Sequence, residues 1–320
     1  MSEQIYLEAT IPPTLRGQRL DKALGSLLPD YSRTRIQQWL KEGAVSIAGS
    51  TVTQARYSVL GEETVIIEAT VTPHGNDAAE PIPLDIVFED EALLIINKPA
   101  GLVCHPGAGN LDGTLVNALL NHAPSLESLP RAGLIHRLDK DTSGLLIVAK
   151  DWAAHQKLIK TMQAREISRE YFTIVHGVVT GGGTIEAPIG RHRQKRTSMA
   201  VVPNGKPAVT HYRVIERFSA QTALSVKLET GRTHQIRVHM QHIHHPLVGD
   251  SQYGGKRLLP KGVSTELREK IASYPYQALH AQRLKFNHPL SHDPLQFSAE
   301  LPKILTDLIS DMRKDASLND

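Results

Sequence analysis

Residues 133–150 read GLIHRLDKDTSGLLIVAK. An apolar run enters, and His136, Arg137, Asp139, Lys140, Asp141, Thr142 and Ser143 cluster. Gly144 then breaks the segment, and a second apolar run leaves. Polar groups delivered by buried strands to one loop are a common way to build a site on a rigid scaffold. The plainer alternative is a solvated hairpin with Asp139 or Asp141 capping its turn. Working outward, strand-like runs occupy 86–88, 93–97, 145–149, 169–178, 209–217 and 223–228. Helical spacing appears at 114–122, 152–164 and 233–243. The glycine triplet 181–183 predicts a hairpin between two strand-like runs. Strands come in runs with helices interspersed and no regular βαβ alternation, which predicts an α+β fold with a mixed sheet.

Upstream lies a small unit, residues 1–71. Segments 20–28 and 32–41 read as helices; in the second, Ser32 is the expected N-cap and Ile36, Trp39 and Leu40 form the apolar stripe. Strands are expected at 44–47, 51–52 and 63–67, with a turn at 48–50. Residues 72–83, TPHGNDAAEPIP, read as an exposed linker. The larger domain runs over 84–313, and 314–320 is expected to be a flexible tail.

Composition narrows the function classes. The chain has 320 residues, 40% hydrophobic and 22% charged, as in an ordinary globular protein. One cysteine, Cys104, excludes an internal disulfide and a thiolate-rich zinc site. No apolar run suggests a membrane span, and the first residues are polar and acidic, unlike a secretory signal. A cytoplasmic location is therefore expected. The net charge is only +3, but residues 57–97 hold nine acids and no Lys or Arg. The remainder carries 36 basic residues against 24 acids, a balance that attracts polyanions.

A second candidate segment is 228–246, LETGRTHQIRVHMQHIHHP. His234, Arg237 and Gln241 share a helical face, Ile236, Met240 and Ile243 the opposite one, and Arg232 stands at the helix entrance. A cation on that face could pair with a carboxylate of the first loop and fix its rotamer. A merely amphipathic helix is the competing reading. His239, His242, His244 and His245 lack a His-Glu-x-x-His pattern, so no metal site is expected; contact with phosphate or surface filling suits them better. The glycines 107–109 lack dinucleotide spacing, and no phosphate-binding Gly-x-x-x-x-Gly-Lys motif occurs. Tyr171, on a predicted strand, could pack in the core or stack on a displaced base. The run 191–196, RHRQKR, and Arg33, Arg35 and Lys41 are candidate phosphate contacts.

Taken together, these segments resemble the RluA family of pseudouridine synthases. HRLDKDTSG (136–144) resembles that family's catalytic motif and GRTHQIRVH (231–239) its second signature. RLDKAL (19–24) followed by SRTRIQQWLKEGAVSIAG (32–49) resembles an S4 RNA-binding domain, with Ala48 where asparagine is usual. The resemblance implies a largely antiparallel catalytic sheet, isomerisation of uridine to pseudouridine in RNA, and no cofactor. With PGAGN (106–110) and HPLVGD (245–250) it implies the 23S ribosomal RNA, or an assembling large ribosomal subunit, as partner, with the helix 69 stem-loop as target. It makes Asp139 the catalytic residue and Arg237 its partner, sets Tyr171 against the base, and sends Arg137 into the RNA around the flipped nucleotide. His136, Thr142 and Arg232 join as substrate-binding residues. A monomer is expected, since nothing demands a dimer. Two rivals stay open: a non-catalytic S4-type ribosome-assembly protein, and an RNA hydrolase using Asp139 with Asp141.

Overall fold

The computed structural model describes residues 3–28, 31, 33–71, 78–107, 109–195, 197–254 and 262–319. Its contacts divide the chain into two units, 1–76 and 77–320.

The first unit contains β1 (Glu3–Thr10), α1 (Leu20–Leu27), α2 (Arg33–Lys41), β2 (Val45–Ile47), β3 (Ser50–Thr51) and β4 (Thr64–Val71). The strands form an antiparallel sheet in the order β1-β4-β2-β3. Leu20, Ala23 and Leu24 of α1 and Ile36, Trp39 and Leu40 of α2 lie at helical spacing, so each helix buries one stripe. Val45, Ile47, Val65, Ile67 and Ala69 alternate along β2 and β4 and close the same core. Between β2 and β3, Ala48 (φ 48°) and Gly49 (φ 79°) are both left-handed. Asparagine favours that two-residue turn because its short polar side chain tolerates the left-handed region; Ala48 occupies it without that help. The Ser32 cap and the side chains of Arg33 and Arg35 lie outside the described residues, and Lys41 is exposed.

The second unit is built on β5 (Ile86–Glu89), β6 (Leu93–Lys98), α3 (Leu115–His122), β7 (Ser143–Ala149), α4 (Trp152–Gln163), β8 (Ser168–His176) and β9 (Gly183–Glu186). There follow β10 (Ile189–Arg191), β11 (Met199–Val201), β12 (Val209–Arg217), β13 (Gln221–Leu228), α5 (Gln235–His242), α6 (Thr265–Ser273), β14 (Leu279–Asn287), β15 (Pro294–Ser298) and α7 (Lys303–Asn319). A nine-stranded sheet runs β5-β6-β7-β14-β8-β13-β12-β9, with β15 paired to β14. Only β7 and β14 run parallel; the other neighbours are antiparallel. The fold is α+β with a mixed, largely antiparallel sheet.

β7 is buried along its whole length, as a central strand covered on both faces must be. Its period-two pattern divides the core. Leu146 and Val148 join α3, Ile236 and Met240 on one face; Leu145, Ile147 and Ala149 join Ala154 and Leu158 of α4 on the other. The same alternation in β8 sends Tyr171 and Val175 to the first face and Phe172 and Ile174 to the opposite one.

Several elements depart from the sequence reading. Residues 133–142 form no entering strand: after a 3-10 turn, Pro130–Gly133, only Leu134 bridges Val148 and Ile135 N–H bonds the Ile147 carbonyl. Gly144 lies inside β7 and does not break it. The glycine triplet makes no hairpin with β8; β9 pairs with β12, and a side chain on Gly182 or Gly183 would meet Tyr212 at 2.9 or 2.8 Å. Those glycines serve close strand approach rather than a turn. Residues 314–319 continue α7, where buried Asp315 accepts the Ser264 N–H at 2.7 Å, so the expected tail is helix. Of the expected linker, 72–77 lie outside the described residues, whereas 78–80 dock on α3 through Asn117. β1, β10, β11, β14, β15, α6 and α7 carry no strong signal in the sequence.

Gly144 joins the polar loop to the sheet. It has φ +113°, and a Cβ there would lie 2.3 Å from the Ala281 carbonyl oxygen of β14. Gly144→Ala should therefore destabilise the protein by about 3 kcal/mol or more, read from urea unfolding; a stability within experimental error of wild type would show that β7 and β14 can separate freely.

Candidate active site

The loop that carries Asp139 is tied down from beneath. Lys98, at the buried end of β6, donates from Nζ to the carbonyls of Pro99 (2.8 Å), Leu102 (2.9 Å) and Lys140 (3.0 Å). Gly101 N–H also bonds Lys140 O, and the Cys104 thiol donates to Leu138 O. Gln277 donates to the Thr142 hydroxyl at 2.7 Å, and Thr142 N–H closes a turn on Asp139 O. Burial pushes the Cys104 thiol pKa up. It also brings the Lys98 ammonium down to about 8, although the nearby Cys104, Asp141 and Asp139 oppose the shift.

Across from this loop, α5 presents Arg237. Ile236 and Met240 anchor the helix in the core shared with Leu138 and Tyr171. Arg237 donates from Nη1 to Asp139 Oδ2 at 2.8 Å. It holds Asp250 from two sides, Nε to Oδ2 at 2.7 Å and Nη2 to Oδ1 at 3.0 Å, and Nη2 also reaches Gln252 Oε1 at 3.1 Å. The guanidinium lies 4.8 Å from the Tyr253 ring centre, a cation–π contact. Burial opposes its charge, but Asp250 and Asp139 more than offset it, and its pKa is raised. Asp139 Oδ1 takes no hydrogen bond among the described residues; His234 Nε2 is 3.8 Å away. His234 caps the helix at φ 56°, so the helix begins at Gln235, two residues later than the helical spacing at 233–243 suggested. His234 Nδ1 meets the Tyr253 hydroxyl at 2.7 Å, and that hydroxyl accepts the Met199 N–H from β11.

A cavity of about 520 Å³ opens between the loop, β8 and the entrance to α5. The seven residues that the resemblance assigns to the site, His136, Arg137, Asp139, Thr142, Tyr171, Arg232 and Arg237, all line it. Arg137 is exposed and Tyr171 is buried. Burial, with Arg169 nearby, lowers the His136 pKa to about 3, which keeps the ring neutral. Asp141 does not reach this cavity; it lines a smaller one of about 360 Å³ with His105 and Gln277, which Asp139 and Arg237 also border. Gln241 is exposed and borders a third space beside Lys195 and the β10–β11 hairpin, away from Asp139. His239 neither meets phosphate nor fills surface: it is fully buried, with Nδ1 at Thr210 Oγ1 and Nε2 at the Ala187 carbonyl. Of the basic run, Arg196 lies outside the described residues, and Arg193 and Lys195 are exposed.

Comparison with known proteins accounts for this constellation. Residues 92–242 match the RNA pseudouridylate synthase family model, and residues 18–65 match the S4 domain model. A Yersinia pestis protein named ribosomal large subunit pseudouridine synthase D is 50% identical over 315 residues, spanning 98% of this chain and 97% of its own. Proteins of the same name from Vibrio cholerae and Escherichia coli K12 are 48% and 50% identical, over 100% and 98% of this chain and 98% and 97% of theirs. The chain belongs to the RNA pseudouridine synthase family. Among solved structures the synthase is similar to human RNA Pseudouridylate Synthase Domain Containing 4 (TM-score 0.57, 27% identity, 71% of this chain and 92% of that one). It is also similar to human RNA Pseudouridylate Synthase Domain Containing 1 (TM-score 0.55, 25% identity, 73% and 96%). Among the described residues, no helix of the synthase is long and apolar enough to cross a membrane.

Sequence reasoning missed Asp250, Gln252, Tyr253, Lys98 and Arg169 as neighbours of the candidate site. Asp250 had a signal: it ends the HPLVGD segment, whose apolar residues are buried while the carboxylate turns to Arg237. Because Asp250 is 1% exposed and carries half of a buried ion pair, Asp250→Asn should lower stability by about 3 kcal/mol, measured by denaturant unfolding. An unchanged midpoint would leave Asp139 as sufficient counter-charge. Lys98 gives a pH test. Its folded pKa of about 8 lies below the ordinary 10.5, so between those values the unfolded chain binds the proton that the folded synthase has released. Wild type should therefore gain stability over Lys98→Met as pH rises from about 8 toward 10.5; a constant difference would contradict the depressed value.

Proposed function

We propose that the synthase isomerises uridine in large-subunit ribosomal RNA and that Asp139 is its catalytic group. The observation that carries the reading is the Asp139 carboxylate, with one oxygen fixed by Arg237 Nη1 and the other without a hydrogen bond among the described residues, at the wall of a cavity that also holds a tyrosine. Isomerisation loses no atoms. The C1′–N1 bond breaks, the base turns, a C1′–C5 bond forms, the C5 proton leaves and N1 gains one. No activated water is needed, and one carboxylate suffices, either attacking C1′ or removing the C2′ proton. Both routes use the free Oδ1.

The remaining residues take complementary parts. The base must leave its stack, at a cost of a few kcal/mol, least in a loop. Tyr171 gives the flipped base a flat wall, and exposed Arg137 is placed to enter the RNA it vacates. His136, Thr142 and Arg232 complete the lining. The names of the relatives and the S4-type unit favour large-subunit ribosomal RNA as the substrate; the resemblance adds the helix 69 stem-loop of the 23S RNA, free or in an assembling subunit, and nothing demands a dimer. A hydrolase using Asp139 and Asp141 would have to work in the smaller cavity, the one both carboxylates border, away from the Tyr171 wall.

Asp139→Asn should fold, keep its RNA affinity and lose at least about a thousand-fold in pseudouridine formation, followed by tritium release from 5-tritiated uridine in ribosomal RNA. Robust turnover by that variant would defeat the assignment. Mapping pseudouridine in ribosomal RNA from cells with and without the protein tests the target: loss confined to helix 69 is expected, and an intact helix 69 would refute that part.

A further inference from the structure

Arg169 precedes Tyr171 by two positions on β8, so both side chains leave the same face of the strand and line the same cavity. Arg169 is 8% exposed. Its Nε is enclosed with no hydrogen-bond partner, and among the described residues no carboxylate or carbonyl accepts a bond from its guanidinium. Nη1 rests against Gly231, where a Cβ would stand 2.8 Å from it. A guanidinium enclosed at Nε, with only its Nη end open to the cavity, costs free energy to keep charged without a counter-charge. Arg237, on the opposite wall, shows how this fold treats an arginine whose charge it satisfies internally: it supplies two aspartates. Arg169 has none. Beside it His136 Nε2 is also enclosed and without a partner. The ring is neutral, so it brings Arg169 no counter-charge.

We propose that Arg169, with His136 beside it, forms the subsite for the detached uracil and stabilises the anion released when the glycosidic bond breaks. The inference rests on the reading of Asp139 as the group that triggers this cleavage. When C1′–N1 breaks, its electron pair stays with the base, and the charge spreads over N1, O2 and O4. The base must then turn without leaving, until C5 donates a pair to C1′ and the C5 proton departs. Neutral uridine carries little of this charge, so a fixed cation at the rim of the Tyr171 wall acts far more on the transition state than on the bound substrate. It also selects the base: carbonyl oxygens accept from a guanidinium, whereas the amino group of cytosine would set donor against donor.

The test is single-turnover pseudouridylation at saturating RNA by wild type, Arg169→Gln and Arg169→Lys, with affinity measured separately. Each protein is given target RNA carrying either uridine or 6-azauridine, whose base is the more stable anion and keeps C5 free. Arg169→Gln should slow the chemical step by at least about a hundred-fold with affinity within about three-fold, and Arg169→Lys should recover part of the loss. The loss should be clearly smaller on 6-azauridine. An affinity loss with a normal single-turnover rate and a shallower salt dependence would make Arg169 a phosphate anchor and overturn the proposal. Equal losses on both bases would overturn it as well, since a residue that only positions substrate is blind to leaving-group acidity. If the glutamine variant does not fold, the lysine variant's comparison of the two bases decides in the same way. Asp139→Asn is run alongside: activity in that variant strikes the Asp139 reading, whereas the Arg169 proposal stands or falls on its own variants.

Discussion

The ion triad Asp139–Arg237–Asp250 is the constraint on which the catalytic unit turns. Its members come from three places: the loop before β7, helix α5 and the segment that follows α5. A guanidinium is suited to this junction because its planar fork can engage one carboxylate through two bonds and leave a third N–H for another. Asp250 takes the paired bonds and is itself fixed by the N–H groups of Gln252 and Tyr253. Arg237 thus reaches Asp139 as a pre-set donor, and one carboxylate oxygen is engaged while the other stays open.

The surroundings make that geometry hard to lose. Lys98, Gly101 and Cys104 bind the backbone of residues 138–140, and Gln277 binds Thr142, so the loop is held from the ends of β6 and β14. Gln252 accepts from Arg237 and donates to the Thr197 carbonyl and the Ser198 hydroxyl, which links the triad to the β10–β11 hairpin and its basic residues. His234 and Tyr253 make a second link to that hairpin at Met199.

Much of this was legible in the sequence because chemistry and periodicity coincide locally. The polar loop followed by LLIVA, and the helix with Ile236 and Met240 opposite Arg237, sit within a few residues of their own signals, and the resemblance supplied the pairing of the two. What was illegible depends on partners far away in the chain. The insertion of β14 between β7 and β8 leaves no local mark, and the parallel contact of Gly144 with Ala281 spans more than a hundred residues. The glycines 181–183 looked like a turn because a glycine needed for strand approach has the same letter as one needed for chain reversal. Arg169 was unremarkable as a residue type; only the absence of a partner in its buried setting distinguishes it.

On the proposed mechanism, Asp139 Oδ1 meets the sugar of an extruded uridine inside the larger cavity. A structure of the synthase bound to a target stem-loop, trapped before bond cleavage, measures this directly. In that complex C1′ or C2′ should lie within about 3.5 Å of Asp139 Oδ1, with Arg237 Nη1 still on Oδ2 and the base against Tyr171. A base lodged in the smaller cavity beside Asp141, or Arg237 withdrawn from Asp139 onto a phosphate, would contradict it.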